Sequence, residues 1–575
     1  MIRLKKLAQF NTDSKFFHIF LLLLVWLPYF YNSWAYSIWD SNEAYYVEGP
    51  KEMLNASDQM SPRFNDTFRF EKPILSYWVV ILMYKLFGIS VFSERLAINI
   101  FVLGSIFLIY ALARIVGESE TRTTSETSSG VESETHSCIP LLAAIIFATS
   151  FKYFTLAHRS IIDILFTFWI LLSLYCYMRF IKSQNHSVAA YYGMFISFAL
   201  GVLTKGLVGL LVPGAIIGIH LIYSRRLYLL KEKKFFIGIL VFLLVASPWY
   251  IYMALAHGSS YLNFFIIGNP FKLYTKGAYS LARPLWYYIP TILGGFAPWS
   301  CFILIIIYSL YHSYRKKDHH ADRPGFIIIW IVFIFIFFSL SKGKQEEYVL
   351  QIYPALSLLL GWAINYYQNC TPSRLIKILT RITVSLFSIV FLLSGVAMFL
   401  LNRIIFSQWD YLYIFPILFV LYSIFAILIF TDSNVKKIVL ANALFTWLLY
   451  VILIAFYLPL FEKEYKYVKD FADTYKKISV PGDQIGYYKV GIPSLCFYAN
   501  QKVHIFMNTE EITQVLKNNK LFLIIDQKNF DNLNADFRNN FIPVKTRKQF
   551  PTTSRNFMKL TRGYGVEDVV LFVSK

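Results

Sequence analysis

Residues 235–255 read FFIGILVFLLVASPWYIYMAL, an apolar run of 21 residues without a charged side chain. At about 1.5 Å per residue a helix over this run is about 30 Å long, the thickness of the hydrocarbon core of a bilayer. Outward from it, further runs of spanning length lie at 16–36, 94–116, 138–157, 161–181, 188–203, 206–224, 285–313, 325–341, 348–367, 379–401, 410–430 and 437–459. Together they predict an α-helical polytopic membrane protein with about thirteen transmembrane helices. Composition agrees, with 57% hydrophobic, 19% aromatic and 15% charged residues in 575. Soluble domains carry about 25% charged residues, so an ordinary cytosolic enzyme is excluded.

Lys+Arg number 55 and Asp+Glu 34, a net charge of +21. In a polytopic chain that excess belongs to cytoplasmic loops, which argues against a nucleic-acid partner. The first run follows Met-Ile-Arg-Leu-Lys-Lys and exceeds the roughly 7–15 residues of a cleavable signal core, so it reads as an uncleaved span with its basic end inside. The run 73–87 is short and holds Lys85. If it lies along the outer surface, the clusters 224–234, 315–317, 374–381 and 436–437 all fall inside, as the positive-inside rule requires; if it spans, they all flip outward. It is therefore predicted not to cross. The Ser/Thr/Glu-rich loop 117–137 reads as a disordered insert. Cys138, Cys176, Cys301, Cys370 and Cys496 lie far apart with no C-x-x-C pair, so neither a disulfide framework nor a zinc site is expected.

Composition changes after Leu460. The chain divides into a membrane domain, 1–460, whose first outer loop is 37–93, and an outer domain, 461–575. The second part predicts a small α/β domain, with β-like runs at 484–488, 503–507, 521–526 and 569–574 and a helix near 509–517.

In this topology the unusual polar residues gather on the outer side: Asp40 to Tyr46, Phe70-Glu71-Lys72-Pro73, His158-Arg159 with Asp163, Thr204-Lys205-Gly206, Asn269 to Tyr274, and Ser341 to Tyr348 including Lys344. Each has a plain alternative. Lys72 can snorkel at a helix start, Arg159 and Asp163 can pair four residues apart, and Lys205 can cap a tight turn. Their coincidence on one face points instead to an anionic substrate, since ionisable groups at span ends are costly unless paired or functional. His319-His320 sits in a basic inside loop, His257 has no second histidine near it, and the Asn-x-Ser/Thr triplets at Asn55, Asn65 and Asn185 carry no weight.

These segments resemble a family. NEAYYVEGPKEML from Asn42, PRFNDTFRFEKPILSYWVVILMYKLFG and SERL, followed by HRSIID at 158–163, LTKGLVGLLVPG at 203–214, RPLWYYIPTILGGFAPWS at 283–300 and FFSLSKGKQEEYVLQIYPAL at 337–356, are similar to the bacterial aminoarabinose transferase (ArnT-like) and protein O-mannosyltransferase group of membrane glycosyltransferases. The resemblance covers most of the membrane part. It implies a GT-C fold with two surface helices in the first outer loop, an outward active site, and an inverting transfer of a sugar from a polyprenyl (undecaprenyl) phosphate. The acceptor is then a lipid A, a protein hydroxyl or another envelope glycan, and the expected location is the inner (plasma) membrane with a periplasmic C-terminal domain. Lys72 resembles the cation that holds the lipid phosphate and Tyr348 its helping hydroxyl; Glu71 and Asp163 resemble carboxylates that face a metal in the aminoarabinose branch.

The sequence departs from that pattern at three places. The acidic pair heading the first surface helix is here Asn42-Glu43, the arginine three positions on is Tyr45, and the histidine ahead of Pro284 is Leu281. The last removes a nitrogen ligand, so no metal and no other cofactor is assigned. The second leaves Lys344, Arg159 or Lys205 to complete the phosphate site. The first moves the expected catalytic carboxylate to Glu43 or Asp163. Trp78, Trp286 and Tyr287 suit the headgroup level. The competing class is a transporter or flippase of lipid-linked glycans, which would place ionisable groups at mid-span, where this chain has few.

Overall fold

The computed structural model describes residues 15–40, 42–117, 139–159, 161–183, 187–263, 283–315, 322–369, 374–406, 409–430, 435–549 and 567–575. The expectations for Asn185, Asn269 to Tyr274, Leu281, His319-His320, Cys138, Cys370 and nearly all of the loop 117–137 fall outside them.

A backbone in hydrocarbon must satisfy its own polar groups, so the long apolar runs become helices. Eight described helices are long and apolar enough to cross a membrane: Val91–Val116, Ile162–Lys182, Val188–Lys205, Lys233–Tyr261, Glu346–Gln368, Arg374–Ile405, Asp410–Leu428 and Val435–Tyr465. Two expected single spans are instead bent pairs. Ile139–Ala148 and Phe151–Ala157 meet at 56°, and Leu285–Gly295 and Trp299–Arg315 at 102°. At the first bend Ser150 is extended (φ −72°, ψ 130°), while Thr149 Oγ1 donates to the Ile145 carbonyl at 2.6 Å and Ser150 Oγ to that of Phe147 at 2.7 Å. Both carbonyls also accept backbone N–H bonds, from Thr149 and Ser150, so the hydroxyls add second bonds to the last turn before the chain bends. At the second, Pro298 lies in the break and has no N–H to continue a helix. Counting each bent pair once gives up to ten spans, and Lys15–Phe30, Val208–Tyr223 and Pro324–Leu340 are shorter apolar helices.

Two helices in the first loop build the floor of the site. Asn42–Asn55 and Leu75–Phe87 pack closely because Gly49 has no side chain: a Cβ there would lie 2.8 Å from the Tyr77 ring and 2.8 Å from the Arg63 carbonyl oxygen. The Tyr84 hydroxyl donates to the Val47 carbonyl at 3.0 Å and closes the pair. Leu75–Phe87 buries Tyr77, Val80, Ile81 and Tyr84 and exposes Leu82, Leu86 and Phe87, so it has one face packed on protein and one apolar face left open. Between the helices, strands β1 (Arg63–Phe64) and β2 (Thr67–Phe68) form an antiparallel hairpin. Its turn residues Asn65 and Asp66 have φ of 55° and 63°, a left-handed conformation that Asn and Asp tolerate better than most residues.

The C-terminal sheet has strands β3 (Gln484–Tyr488), β4 (His504–Phe506), β5 (Leu521–Asp526), β6 (Phe541–Gln549) and β7 (Glu567–Ser574) in the order β4-β3-β5-β7-β6. β3 pairs parallel with β4 and β5, and β7 pairs antiparallel with β5 and β6. Four strands and the helix Thr509–Leu516 stand where the sequence predicts them; β6 was not expected. Its residues FIPVKTRKQ are mostly solvated, with a register shift between Pro543 and Lys545, so as an edge strand it lacks the apolar signature of β5, which is buried throughout.

This domain sits on the first loop. Ile38, Ala44, Val47 and Phe64 share a core with Phe471, Leu495, Phe522 and Ile524. Asn65 exchanges two 2.9 Å hydrogen bonds with the Val503 backbone, and Ser494 donates to Asp40 through both its backbone N–H and its hydroxyl at 2.7 Å. The sheet domain and the polar cluster of the first loop therefore occupy the same end of the helix bundle.

Candidate active site

Lys205 is the last residue of the helix Val188–Lys205, which stops because Gly206 takes φ 78°. Asp163 lies in the first turn of Ile162–Lys182. An acid at a helix start and a base at a helix end both suit the helix dipole, and the antiparallel packing of these neighbours brings them together. Lys205 Nζ and Asp163 Oδ1 form an ion pair whose side chains are 12% and 8% exposed. The i,i+4 partner considered for Asp163 is elsewhere: Arg159 is exposed, with its guanidinium 5.4 Å from the centre of the Trp39 ring. The Lys205 ammonium lies over Phe166 and Tyr348, at 5.0 and 5.2 Å from the ring centres, which draws Tyr348 into the cluster.

From the first loop come Arg69, Glu71 and Lys72. Arg69 Nη2 donates to Glu71 Oε2 at 2.6 Å, and its guanidinium stacks 3.6 Å from the centre of the Tyr45 ring. Position 45, where the sequence has no cation, thus has the Arg69 guanidinium against it. Its Nη1 and the Tyr77 hydroxyl are buried, each without a hydrogen-bond partner among the described residues, and the two groups lie near enough to feel each other's charge. Lys72 keeps some open surface but is ringed by protein. Burial and then the neighbouring Lys205 push its ammonium down to about 8 from 10.5, against the pull of Asp163 and Glu71. Of Lys72, Lys205 and Arg69, only Lys72 has no carboxylate partner among the described residues.

Other predicted residues are placed apart from this group. Glu43 is fully buried and held by Arg95, whose Nε donates to Oε1 at 2.8 Å and Nη2 to Oε2 at 3.1 Å. Arg95 also donates to the carbonyls of Ser33, Tyr36 and Ser37, and Glu43 accepts from the Trp39 backbone N–H at 2.5 Å. Asn42 is exposed at the head of its helix. Lys344 is buried, and its ammonium serves the carbonyls of Ser341 and, at 3.2 Å, Arg283. His257 contacts Ser61 Oγ at 2.7 Å and packs on Phe68 and Phe70.

A metal does not fit the donor set. Glu71 and Asp163 are each engaged by a cation, and the described residues hold no group of three His, Cys, Asp or Glu side chains able to share an ion. Arg69, Tyr77 and Arg95 were not singled out from the sequence, although all lie inside the quoted segments. Their partners are distant in the chain or off any regular spacing, so no local pattern marked them.

Residues 132–252 match the family model described as dolichyl-phosphate-mannose-protein mannosyltransferase. An uncharacterized protein of Aquifex aeolicus (strain VF5) is 29% identical over 350 residues, 60% of this chain and 64% of that one. The undecaprenyl phosphate-alpha-4-amino-4-deoxy-L-arabinose arabinosyl transferase 1 of Proteus mirabilis (strain HI4320) is 26% identical over 367 residues, 63% of this chain and 62% of that one. The matched part thus spans a little over three fifths of these relatives. The crystal structure of ArnT from Cupriavidus metallidurans bound to undecaprenyl phosphate superposes with a TM-score of 0.73 at 19% identity, over 97% of this chain and 98% of that one. At that coverage and TM-score the chain has the fold of this ArnT structure.

Proposed function

We propose that the protein is an inverting glycosyltransferase that moves a sugar from a polyprenyl phosphate, undecaprenyl phosphate in bacteria, to an acceptor of the cell envelope. The observation that carries this reading is Lys72, an enclosed ammonium without a carboxylate partner among the described residues, flanked by two cations that each have one. A cation kept unpaired in a protein-lined site is costly unless an anion comes to it. A leaving phosphate is such an anion, and preorganised positive charge meets it as the glycosidic bond breaks. The relatives named for undecaprenyl phosphate-linked aminoarabinose, and the ArnT structure bound to undecaprenyl phosphate, support this donor class.

In this reading Lys72 takes the leaving phosphate, the Tyr348 hydroxyl assists, and Lys205 is held in place by Asp163. Arg69, set by Glu71 and Tyr45, is a second donor-facing cation. Arg159 lies at the rim and Lys344 shapes its own loop. Glu43 anchors the start of the surface helix through Arg95. Residues 1–460 form the transferase domain, with the three shorter apolar helices also crossing to give thirteen spans, and 461–575 form a periplasmic domain above an active site on the outer face of the inner membrane.

Two experiments test it. A cysteine at Asn532, an exposed position of the sheet domain, should react with an impermeant maleimide in intact spheroplasts; labelling only after lysis overturns the outward site. A deletion strain should accumulate the sugar-carrying polyprenyl phosphate on the outer leaflet and lose one sugar from its envelope glycans by mass spectrometry. Accumulation on the inner leaflet would indicate a flippase instead.

A further inference from the structure

The surface helix Asn42–Asn55 uses two faces. Tyr46, Gly49 and Met53 pack with Tyr77 of the second surface helix. Glu48, Lys51, Glu52 and Asn55, spaced i, i+3, i+4 and i+7, share another face and line a cleft of about 310 Å³. Its other walls are the hairpin, through Arg63, Asn65 and Asp66, and the sheet domain, through Asn500, Gln501 and Lys502. Hydrogen bonds fix the three walls to one another. Lys51 Nζ donates to Glu48 Oε2 at 2.9 Å and to the Phe497 carbonyl of the sheet domain at 3.4 Å. Glu52 accepts the backbone N–H of Asn65 at 2.6 Å and that of Asp66 at 3.2 Å, and Asn65 is bonded in turn to Val503. Arg63 is the exception, for its Nε is buried without a hydrogen-bond partner among the described residues. A buried donor left without an acceptor is costly, and a ligand oxygen can serve it. A larger groove of about 530 Å³ lies on the sheet domain beside Thr509–Leu516, but none of the side chains lining it is buried.

We propose that this cleft binds a neutral saccharide, the glycan portion of the acceptor; the acceptor role rests on the transferase reading above. The lining decides the chemical class. Lys51, Arg63 and Lys502 are offset by Glu48, Glu52 and Asp66, so the cleft has no excess charge with which to hold a phosphate or a cation. Among the described residues its lining has no apolar side chain larger than Ala56, which leaves nothing for an acyl chain to bury against. What it offers is a dense set of amide, carboxylate, ammonium and guanidinium groups, donors and acceptors in a fixed arrangement, as polyhydroxylated ligands require. Because hydrogen bonds already hold the walls, little ordering cost is left for the ligand to meet. The cleft is also tied to the charged cluster. The helix that carries Glu48 and Lys51 carries Tyr45 against the Arg69 guanidinium, and the backbone N–H of Arg69 donates to the Pro62 carbonyl, next to Arg63, at 2.8 Å. A glycan seated here is held on the elements that present the donor-facing cations, so its acceptor hydroxyl is kept near them rather than found by diffusion.

The test uses the full-length protein in nanodiscs. The probe is the pool of oligosaccharides released by mild acid from the envelope of a strain deleted for this gene, with binding read by saturation-transfer NMR; the intact envelope fraction of that strain serves as acceptor in transfer. The unaltered protein should bind the oligosaccharides. Arg63→Gln, which removes the unserved donor, and Asn55→Trp, which fills the cleft from an exposed position, should each weaken that binding and raise the acceptor KM about 10-fold or more. In both, kcat and binding of undecaprenyl phosphate should stay unchanged. Asn55→Trp keeps the test decisive if Arg63→Gln disturbs the hairpin, and Thr513→Trp, in the larger groove, should change none of these quantities. No oligosaccharide binding by the unaltered protein, wild-type binding by Asn55→Trp, or an effect of Thr513→Trp in its place would overturn the cleft as a saccharide site. Loss of saccharide binding at an unchanged acceptor KM would overturn its acceptor role. Each of these results leaves the donor reading standing. Saccharide binding by a protein that does not bind undecaprenyl phosphate would overturn the transferase reading, and the acceptor role with it.

Discussion

Lys72→Ala is expected to lower sugar transfer roughly 30- to 1,000-fold, equivalent to about 2–4 kcal/mol of transition-state stabilisation, with folding and insertion unchanged. The size follows from the setting, since a charge-assisted contact in a water-poor site is worth more than the same contact in water. Lys72→Arg should keep some activity, because it retains a cation although its fork replaces a point charge. Wild-type turnover by Lys72→Ala would remove the donor site from this position.

The same residue sets a pH signature with two opposite slopes. Its ammonium is held down to about 8, against 10.5 for an ordinary lysine. As pH rises through 8 the folded protein loses this proton, so kcat/KM for the donor should fall, and above pH 8 donor binding should take up a proton. Stability should move the other way. Between about 8 and 10.5 the unfolded chain binds more protons at this lysine than the folded one, so the contribution of Lys72 to stability rises with pH. Below pH 8 the enclosed charge is a cost to folding. Stability rising while activity falls in one window distinguishes a poised lysine from general alkaline denaturation. It can be read from parallel thermal-melt and initial-rate profiles.

Glu43→Gln is expected to destabilise the protein by about 3–5 kcal/mol, the cost of leaving a buried charge without its partner. Glu43 and Arg95 are 0% and 1% exposed, and Arg95 joins the carboxylate to three carbonyls of the segment entering the surface helix. Loss of the carboxylate charge leaves the guanidinium with neutral oxygens alone. Thermal unfolding in detergent should show the loss, and the double variant Glu43→Gln with Arg95→Met should recover part of it. Asn42→Asp, at an exposed position, should be nearly neutral. A Glu43→Gln protein that melts like the wild type but transfers no sugar would return the base to Glu43.

The spans and most strands were legible because each rests on a local property. An apolar run long enough to cross hydrocarbon has to be a helix, and the runs at 94–116, 161–181, 188–203 and 235–255 all became one. The C-terminal β-runs stood out because β5 and β7 carry continuous buried apolar residues, whereas β6, solvated at the sheet edge, carried no such mark. The two bends were hidden because hydropathy measures length and polarity but not direction; Thr149, Ser150 and Pro298 turn the chain without making it less apolar.

The sequence by itself determined that cations and carboxylates would gather at one end of a helical membrane protein, since topology and the placement of polar residues at span ends are properties of the chain. Only the tertiary structure decided which charges neutralise one another. Arg95 reaches Glu43 across 52 residues and Lys205 reaches Asp163 across 42, and neither pairing has a sequence period. Ion pairing depends on approach within about 4 Å, which helix packing sets and composition does not. The same packing left Lys72 without a carboxylate partner among the described residues, and so separated charges that hold the fold from a charge without a partner of its own.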